Sequence, residues 1–323
     1  MIRRQTQDLD VLLVSMVDAS ARDLTNVEAL RTLVVGSSVS VKIQTPWENT
    51  LYQVCRSSCD GLICLYGIYN SGIVVNPTTR WHRAIPLSNY QLISNEIRKR
   101  DRDLGHTFPG LGFGKDKLRS IYKPVWLYNS LELGLDEATT CEVFDFSTNA
   151  WRKVIPASPC RVLAFHDPIY FDGSLHWFTD PYEGETNVLS LDLHTETFQV
   201  ICKAPFVVPD SPTEINMCTL NNCLCVSLMD WPEQKIWSFN AEEETWQVIY
   251  SIDLVRTFEW FRLHMFALTP LAVLGKNKLL LNNLERGIQL VIHDPRAGSY
   301  DLVFNAKASG YTLCYFQSLI SIL

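Results

Sequence analysis

One hairpin signature recurs five times along this chain of 323 residues, and no feature restricts the possible folds more. Its clearest copy is CEVFDFSTNAW, from Cys141 to Trp151. An apolar run ends at Asp145, a polar turn follows, and the chain restarts on Trp151. Asp and Asn accept hydrogen bonds from backbone amides two residues on, so a polar cluster between apolar runs is a turn with a mechanism. The other copies are IVVNPTTRW ending at Trp81, VLSLDLHTETF at Phe198, IWSFNAEEETW at Trp246 and LVIHDPRAGSY at Tyr300. Asp145, Asp192, Asn240 and Asp294 each precede their aromatic by six residues, whereas Asn76 precedes Trp81 by five. Successive aromatics lie 70, 47, 48 and 54 residues apart. A period of about 40–50 residues built from short strands is the sequence sign of a β-propeller.

A second landmark precedes four of the five hairpins. Asp60-Gly61, Asp172-Gly173, Asn221-Asn222 and Lys276-Asn277 each stand before an apolar strand. Asp-Gly and Asn supply the positive φ angles of two-residue hairpin turns. Two landmarks per unit in constant order predict a four-strand meander repeated as a blade, rather than an irregular β-sandwich. The expected fold is all-β, a propeller of six blades forming one domain over residues 1–323. Residues 54–308 supply five repeats. Residues 1–53 and 309–323 supply the closing blade, because an open sheet edge invites aggregation.

Two stretches interrupt the pattern. Residues 91–107 are polar, with Arg and Lys clustered at 98–102, and are expected to form a solvated loop with at most a helical turn. GLGFG at 110–114 lacks the G-x-G-x-x-G spacing of a dinucleotide site. Its glycines are expected to let strands crowd near the ring axis.

A net charge of −7 argues against non-specific nucleic-acid binding, which needs clustered cations. No apolar run approaches the roughly 20 residues that span a bilayer, and the N-terminus lacks the apolar core of a secretory signal. A cytoplasmic or nuclear location is the expectation. The ten cysteines show no C-x-x-C and no zinc-finger spacing, so they are expected to be reduced packing residues. No metal and no cofactor is expected.

Nor is an enzyme. A sialidase-type Asp box would carry glycine two residues after the Asp, where this chain has Ser147, His194, Glu242 and Arg296. G-x-S-x-G is absent. The periodic aromatics Trp81, Trp151, Phe198, Trp246 and Tyr300 are expected to pack between blades, each burying about 150–250 Å². The large aromatics in polar turns are a different matter. Tyr182, Trp231, Trp260 and Phe261 are candidate partner-binding residues, since such side chains anchor protein interfaces.

SCDGLICLYG followed by IVVNPTTRWHRAIPLSNYQ resembles the opening of the plant F-box-associated domain. LGFGKDKLRSIYKPVWLY, EVFDFSTNAWRKV, DGSLHWFT and VLSLDLHTETFQVI are similar to that family's later blocks, in the same order. The resemblance covers nearly the whole chain from about Cys55. It implies a kelch-like propeller that binds a protein target as the recognition half of an SCF-type ubiquitin-ligase receptor. In that family an F-box, a helical module of about 45 residues, normally precedes the propeller and docks on the ligase adaptor. Residues 1–57 do not match it, and 29–44 alternate like strands. Adaptor binding is therefore expected only if a docking element is present. A ligase-independent interaction or decoy protein, or a truncated non-functional copy, is the alternative.

Overall fold

The computed structural model describes residues 10–18, 27–35, 40–47, 52–100, 109–181, 183–207, 209, 211–257, 267–275, 277–283, 288–306 and 308–322. The chain opens with strands Asp10–Asp18 (β1), Glu28–Val34 (β2) and Ser40–Ile43 (β3). Blade 1 follows as Gln53–Val54 (β4), Ile63–Tyr66 (β5), Gly72–Asn76 (β6) and Trp81–Ile85 (β7), and helix α1 (Asn89–Lys99) leads out of it. Blade 2 comprises Gly112–Asp116 (β8), Ile121–Asn129 (β9), Thr139–Asp145 (β10) and Ala150–Lys153 (β11). Blade 3 comprises Ile169–Phe171 (β12), Ser174–Phe178 (β13), Asn187–Asp192 (β14) and Phe198–Lys203 (β15). Blade 4 comprises Ile215–Leu220 (β16), Cys223–Asp230 (β17), Glu233–Asn240 (β18) and Thr245–Asp253 (β19), with a short helix α2 (Leu254–Thr257) after it. Blade 5 comprises Thr269–Leu274 (β20), Lys278–Asn283 (β21), Ile288–Asp294 (β22) and Ser299–Ala306 (β23), and Ala308–Tyr315 is β24.

These strands form six four-stranded antiparallel meanders, the six blades of a propeller. The first strands β8, β12, β16, β20 and β24 contact one another in ring order around the axis. Blade 6 has the order β24-β1-β2-β3, so the C-terminal strand enters as its inner member. The pairing runs from Asp10–Tyr315 to Asp18–Ala308 and closes the ring with backbone hydrogen bonds.

Each repeat turn is built by its polar residue. The Oδ1 atom of Asp145 accepts the Ser147 amide at 2.7 Å, and that of Asp192 accepts the amides of His194 and Thr195, both at 2.7 Å. Asn76, Asn240 and Asp294 repeat the pattern. Four residues on, Arg80, Asn149, Glu196, Glu244 and Gly298 all have positive φ, which turns the chain into its last strand. The inner turns Asp60-Gly61, Asp172-Gly173 and Asn221-Asn222 have positive φ at both positions, the signature of type I′ hairpins.

The six-residue offset sets the direction of the aromatics. Trp151 pairs across the hairpin with Phe144 and packs into the apolar cluster shared with blade 1. Phe198, Trp246 and Tyr300 likewise face the preceding blade. Their polar tips reach back to its edge: Trp151 Nε1 donates to Pro86 O at 2.7 Å, Trp246 Nε1 to Lys203 O at 2.8 Å, and the Tyr300 hydroxyl accepts the Asp253 amide at 3.0 Å. Trp81, one residue early, pairs with Asn76 itself and turns toward blade 2 instead. His82 takes the vacated direction, and its ring lies 5.4 Å from Trp47. All five aromatics are half-buried rather than enclosed, because they sit on outer edge strands.

The glycine stripe has a steric reason. A Cβ on Gly110 would lie 2.3 Å from Asp167 Oδ1, one on Gly112 2.8 Å from Leu175, and one on Gly114 2.4 Å from Tyr170. Alternate positions leading into and along β8 thus lie flat against blade 3.

The insertion after blade 1 departs from expectation. It is no loop but the 11-residue helix α1, and residues 101–108 lie outside the described residues. Ser88 caps it, with Gln91 closing a reciprocal capping box. Beneath it the buried Glu142 carboxylate accepts the amides of Asn89 and Tyr90 at 2.9 and 3.0 Å and the Tyr128 hydroxyl at 2.7 Å.

Candidate protein-recognition face

The meander sorts its connections between two ends of the ring. The repeat turns and the type I′ turns lie at one end. At the other lie the hairpins joining second to third strands and the connectors between blades. Trp231 belongs to the second set, at the tip of the β17–β18 hairpin, and is 52% exposed. Tyr182, in the β13–β14 connection, and Trp260 and Phe261, between α2 and β20, lie outside the described residues.

The same end exposes apolar side chains that sequence reasoning passed over: Leu131, Ile155, Val207 and Val255. Ile155 stands before a proline and Val207 two residues before one, in connectors rather than strands. That pairing of an aliphatic side chain with a chain-breaking residue was the available signal.

Buried amides fix these loops to the blades. Asn129 holds Val162 by both backbone groups, at 2.8 and 2.9 Å. Gln234 does the same for Leu268, at 2.8 Å in each direction. Gln91 Nε2 donates to Gly67 O and Asn70 O at 2.6 and 2.7 Å. Arg161 joins neighbouring blades, pairing with Glu132 of the blade 2 hairpin and, at 3.0 Å, with Asp180 of blade 3. A surface held in this way is preorganised, which limits the ordering cost of binding.

A channel of about 2090 Å³ runs along the ring axis between the first strands. Its charged groups are engaged in the wall. Asp167 pairs with Arg56 at 2.8 Å and accepts the Tyr66 hydroxyl at 3.3 Å, and Asp60 pairs with Lys115 at 2.7 Å. Burial pushes the Cys59 and Cys314 thiols up to about 12, so both stay protonated at neutral pH and serve as packing groups. His166 and His176 each pack against an aromatic ring, at 5.6 Å from Phe178 and 6.3 Å from Phe171. No helix among the described residues is long and apolar enough to cross a membrane.

Residues 13–322 match the family described as the F-box associated beta propeller domain. The chain is 54% identical to F-box protein At5g10340 of Arabidopsis thaliana, across 100% of this chain and 74% of that protein. It is 52% identical to F-box protein At2g34280 of the same plant, across 100% and 88%. Among solved structures it resembles a chain of a nidogen/laminin complex, with a TM-score of 0.50 and 10% identity over 96% of this chain and 99% of that one. At that identity the likeness is one of fold alone.

Proposed function

Because the chain belongs to the family of F-box-associated β-propeller domains, we propose that it is the target-binding half of an SCF-type ubiquitin-ligase receptor, acting in the cytoplasm or nucleus. The observation that carries this reading is the match over residues 13–322, joined to similarity across the whole of this chain with proteins named as F-box proteins. The hairpin and connector end of the ring is the recognition face, and Trp231 is its aromatic anchor. Tyr182, Trp260 and Phe261 are proposed to serve the same face. The scaffold supplies rigidity and the loops supply specificity, a division of labour that leaves the target open to variation.

A second reading has its own support. Asp10–Asp18, Glu28–Val34 and Ser40–Ile43 are used in the closing blade, as β1, β2 and β3. The ligase adaptor would have to be reached by some other segment, and a recognition module that acts without a ligase is the alternative. A pull-down with the purified cullin-linked adaptor separates the two. Stable capture supports the receptor. A folded chain that the adaptor does not retain supports ligase-independent recognition.

A further inference from the structure

The exposed aliphatic and aromatic side chains of the recognition face stand among carboxylates of one sign. The hairpin connections of blades 2 and 3 on this face span residues 130–138 and 179–186, and that of blade 4, taken with the strand ends Asp230 and Glu233, spans residues 230–233. They contain eight Asp and Glu and no Lys, Arg or His. Arg161, Lys203 and Lys235, all from outside these segments, pair with Glu132, Asp180, Glu185 and Glu233. Asp136, Glu137, Glu183 and Asp230 remain exposed, and among the described residues none of the four is in an ion pair. Leu131 lies on the first hairpin and Trp231 on the third, beside Asp230. The Arg161 bridge between Glu132 and Asp180 shows that the first two hairpins are neighbours in space.

The opposite end of the ring differs in charge. There Lys117 and Arg119 follow Asp116 in one turn and Arg296 follows Asp294 in another, so cations share those turns with the acids, while Glu242, Glu243 and Glu244 form an acidic run confined to the blade 4 turn. On the recognition face itself the cations gather elsewhere, on α1, where Arg98, Lys99 and Arg100 end the helix outside blade 1. The face is therefore polarised: an acidic, apolar-studded arc over blades 2 to 4, and a basic margin beside blade 1.

On the reading that this face recognises protein targets, we infer that its occupant is a basic polypeptide segment in which Lys or Arg alternates with aliphatic or aromatic residues. Unpaired surface carboxylates draw cations by long-range attraction and disfavour acidic competitors. Trp231 and Leu131 supply the desolvated anchors that charge alone does not provide. The basic end of α1 repels the cationic segment and confines it to the acidic arc. This assigns the charge and the kind of target, and leaves its identity to the sequence between the charges.

Selection of short random peptides on phage against the full chain, followed by binding of the enriched peptides in solution, tests the assignment. The expected peptides carry net positive charge and at least one large apolar residue. Their affinity should fall by about tenfold or more with Trp231→Ala, and by a similar factor with the joint change Asp136→Asn, Glu183→Gln and Asp230→Asn. It should also weaken as salt is raised, since exposed charges are screened. Melting temperatures of the variants, measured alongside, separate lost binding from lost folding: the assignment expects binding to fall while the melting temperature holds. Enrichment of acidic or neutral peptides overturns the assignment, as does binding unaffected by either variant; both outcomes leave the recognition reading standing with another ligand or another face. Failure to enrich any peptide above background overturns it too, while the receptor reading still rests on its own adaptor test.

Discussion

Asn76 and Asp145 hold the same place in their hairpins, yet they are not interchangeable. Both cap a turn through Oδ1. Asn76 is fully buried, and its Nδ2 also donates to Ser318 O at 3.0 Å and Ile320 O at 2.8 Å, pinning the segment that follows β24 across blade 1. Gly61 clears the path, because a Cβ there would lie 2.6 Å from Phe316 O. A carboxylate at position 76 would face two carbonyls with no proton to offer. Asn76→Asp should therefore destabilise the fold by about 1–3 kcal/mol, the cost of leaving buried polar groups unsatisfied, whereas Asp145→Asn should be nearly neutral. Denaturant titration of the two variants checks this, and equal midpoints would refute it. Trp151 belongs to the same scale. Half-buried, it should cost about 3 kcal/mol when cut to Ala, and Trp151→Phe should recover all but about 1 kcal/mol, the share of the bond to Pro86. An unchanged melting temperature for Trp151→Ala would remove it from the core. The third case is titration. Burial holds His176 down at about 4, below an ordinary value near 6.5, and burial lowers His293 as well. Protonation is then easier in the unfolded chain, so their contribution is complete above pH 6.5 and is lost as pH falls from 6.5 toward 4. For His176 the loss is on the order of 3 kcal/mol. Melting curves across that window should show it, and His176→Leu should flatten the slope; a flat wild-type profile contradicts the argument.

Helix α1 shows what the sequence withheld at the level of elements. The hairpins were legible because each turn carries its own chemistry within a few residues: Asp145 with Ser147, or Asp172 with Gly173. The role of glycine at 110, 112 and 114 was legible from its alternation. The helix was not, because the group that stabilises its first turn, Glu142, lies on β10, about fifty residues downstream. Its buried face includes Gln91 and Ser94, polar residues that read as solvent-facing until Gly67 O, Asn70 O and Tyr90 O are placed beside them. The direction of Trp81 was likewise hidden in a one-residue difference of offset, whose consequence is a reversed face. Of the proposed recognition face, Trp231 is the one residue singled out from sequence that lies among the described residues, and it is exposed; Leu131, Ile155 and Val207 look like core residues until the chain places them at loop tips. A measurement follows at this scale. Glu142 accepts two helix amides and a phenol, and Glu142→Gln would set an N–H donor against them. It should destabilise by about 1–3 kcal/mol, with faster amide hydrogen exchange concentrated in residues 89–99. Exchange that quickens evenly over the whole protein, or not at all, would show that Glu142 does not hold the helix.

At the scale of the whole molecule, stability depends on a single joint between sequence-distant ends. Every other blade is a local meander, but blade 6 joins β24 to β1 across nearly the length of the chain. Cutting before Ala308 would remove the inner strand of that blade and expose the free edge of β1, which carries Val11, Leu12, Leu13 and Val14, all fully buried in the closed ring. An apolar edge of that kind, unbroken from Asp10 to Val14 before the register shifts, templates pairing between chains. Cutting instead after Tyr315 would leave the β24–β1 pairing intact and remove the segment held by Asn76, together with the bond from Gln317 Nε2 to Asp10 Oδ2 at 2.9 Å. The two truncations should therefore behave differently. The longer deletion should accumulate as insoluble material or as large assemblies in size-exclusion chromatography. The shorter should remain monomeric and melt a few degrees lower, consistent with the loss of about 1–3 kcal/mol from the Asn76 contacts. If the longer deletion stayed monomeric and cooperative, five blades would suffice to hold the ring, and β24 would be an accessory strand rather than the closure. If the shorter one aggregated as badly as the longer, the closing joint would have to extend past β24 into residues 316–322, and Asn76 would be part of the latch itself.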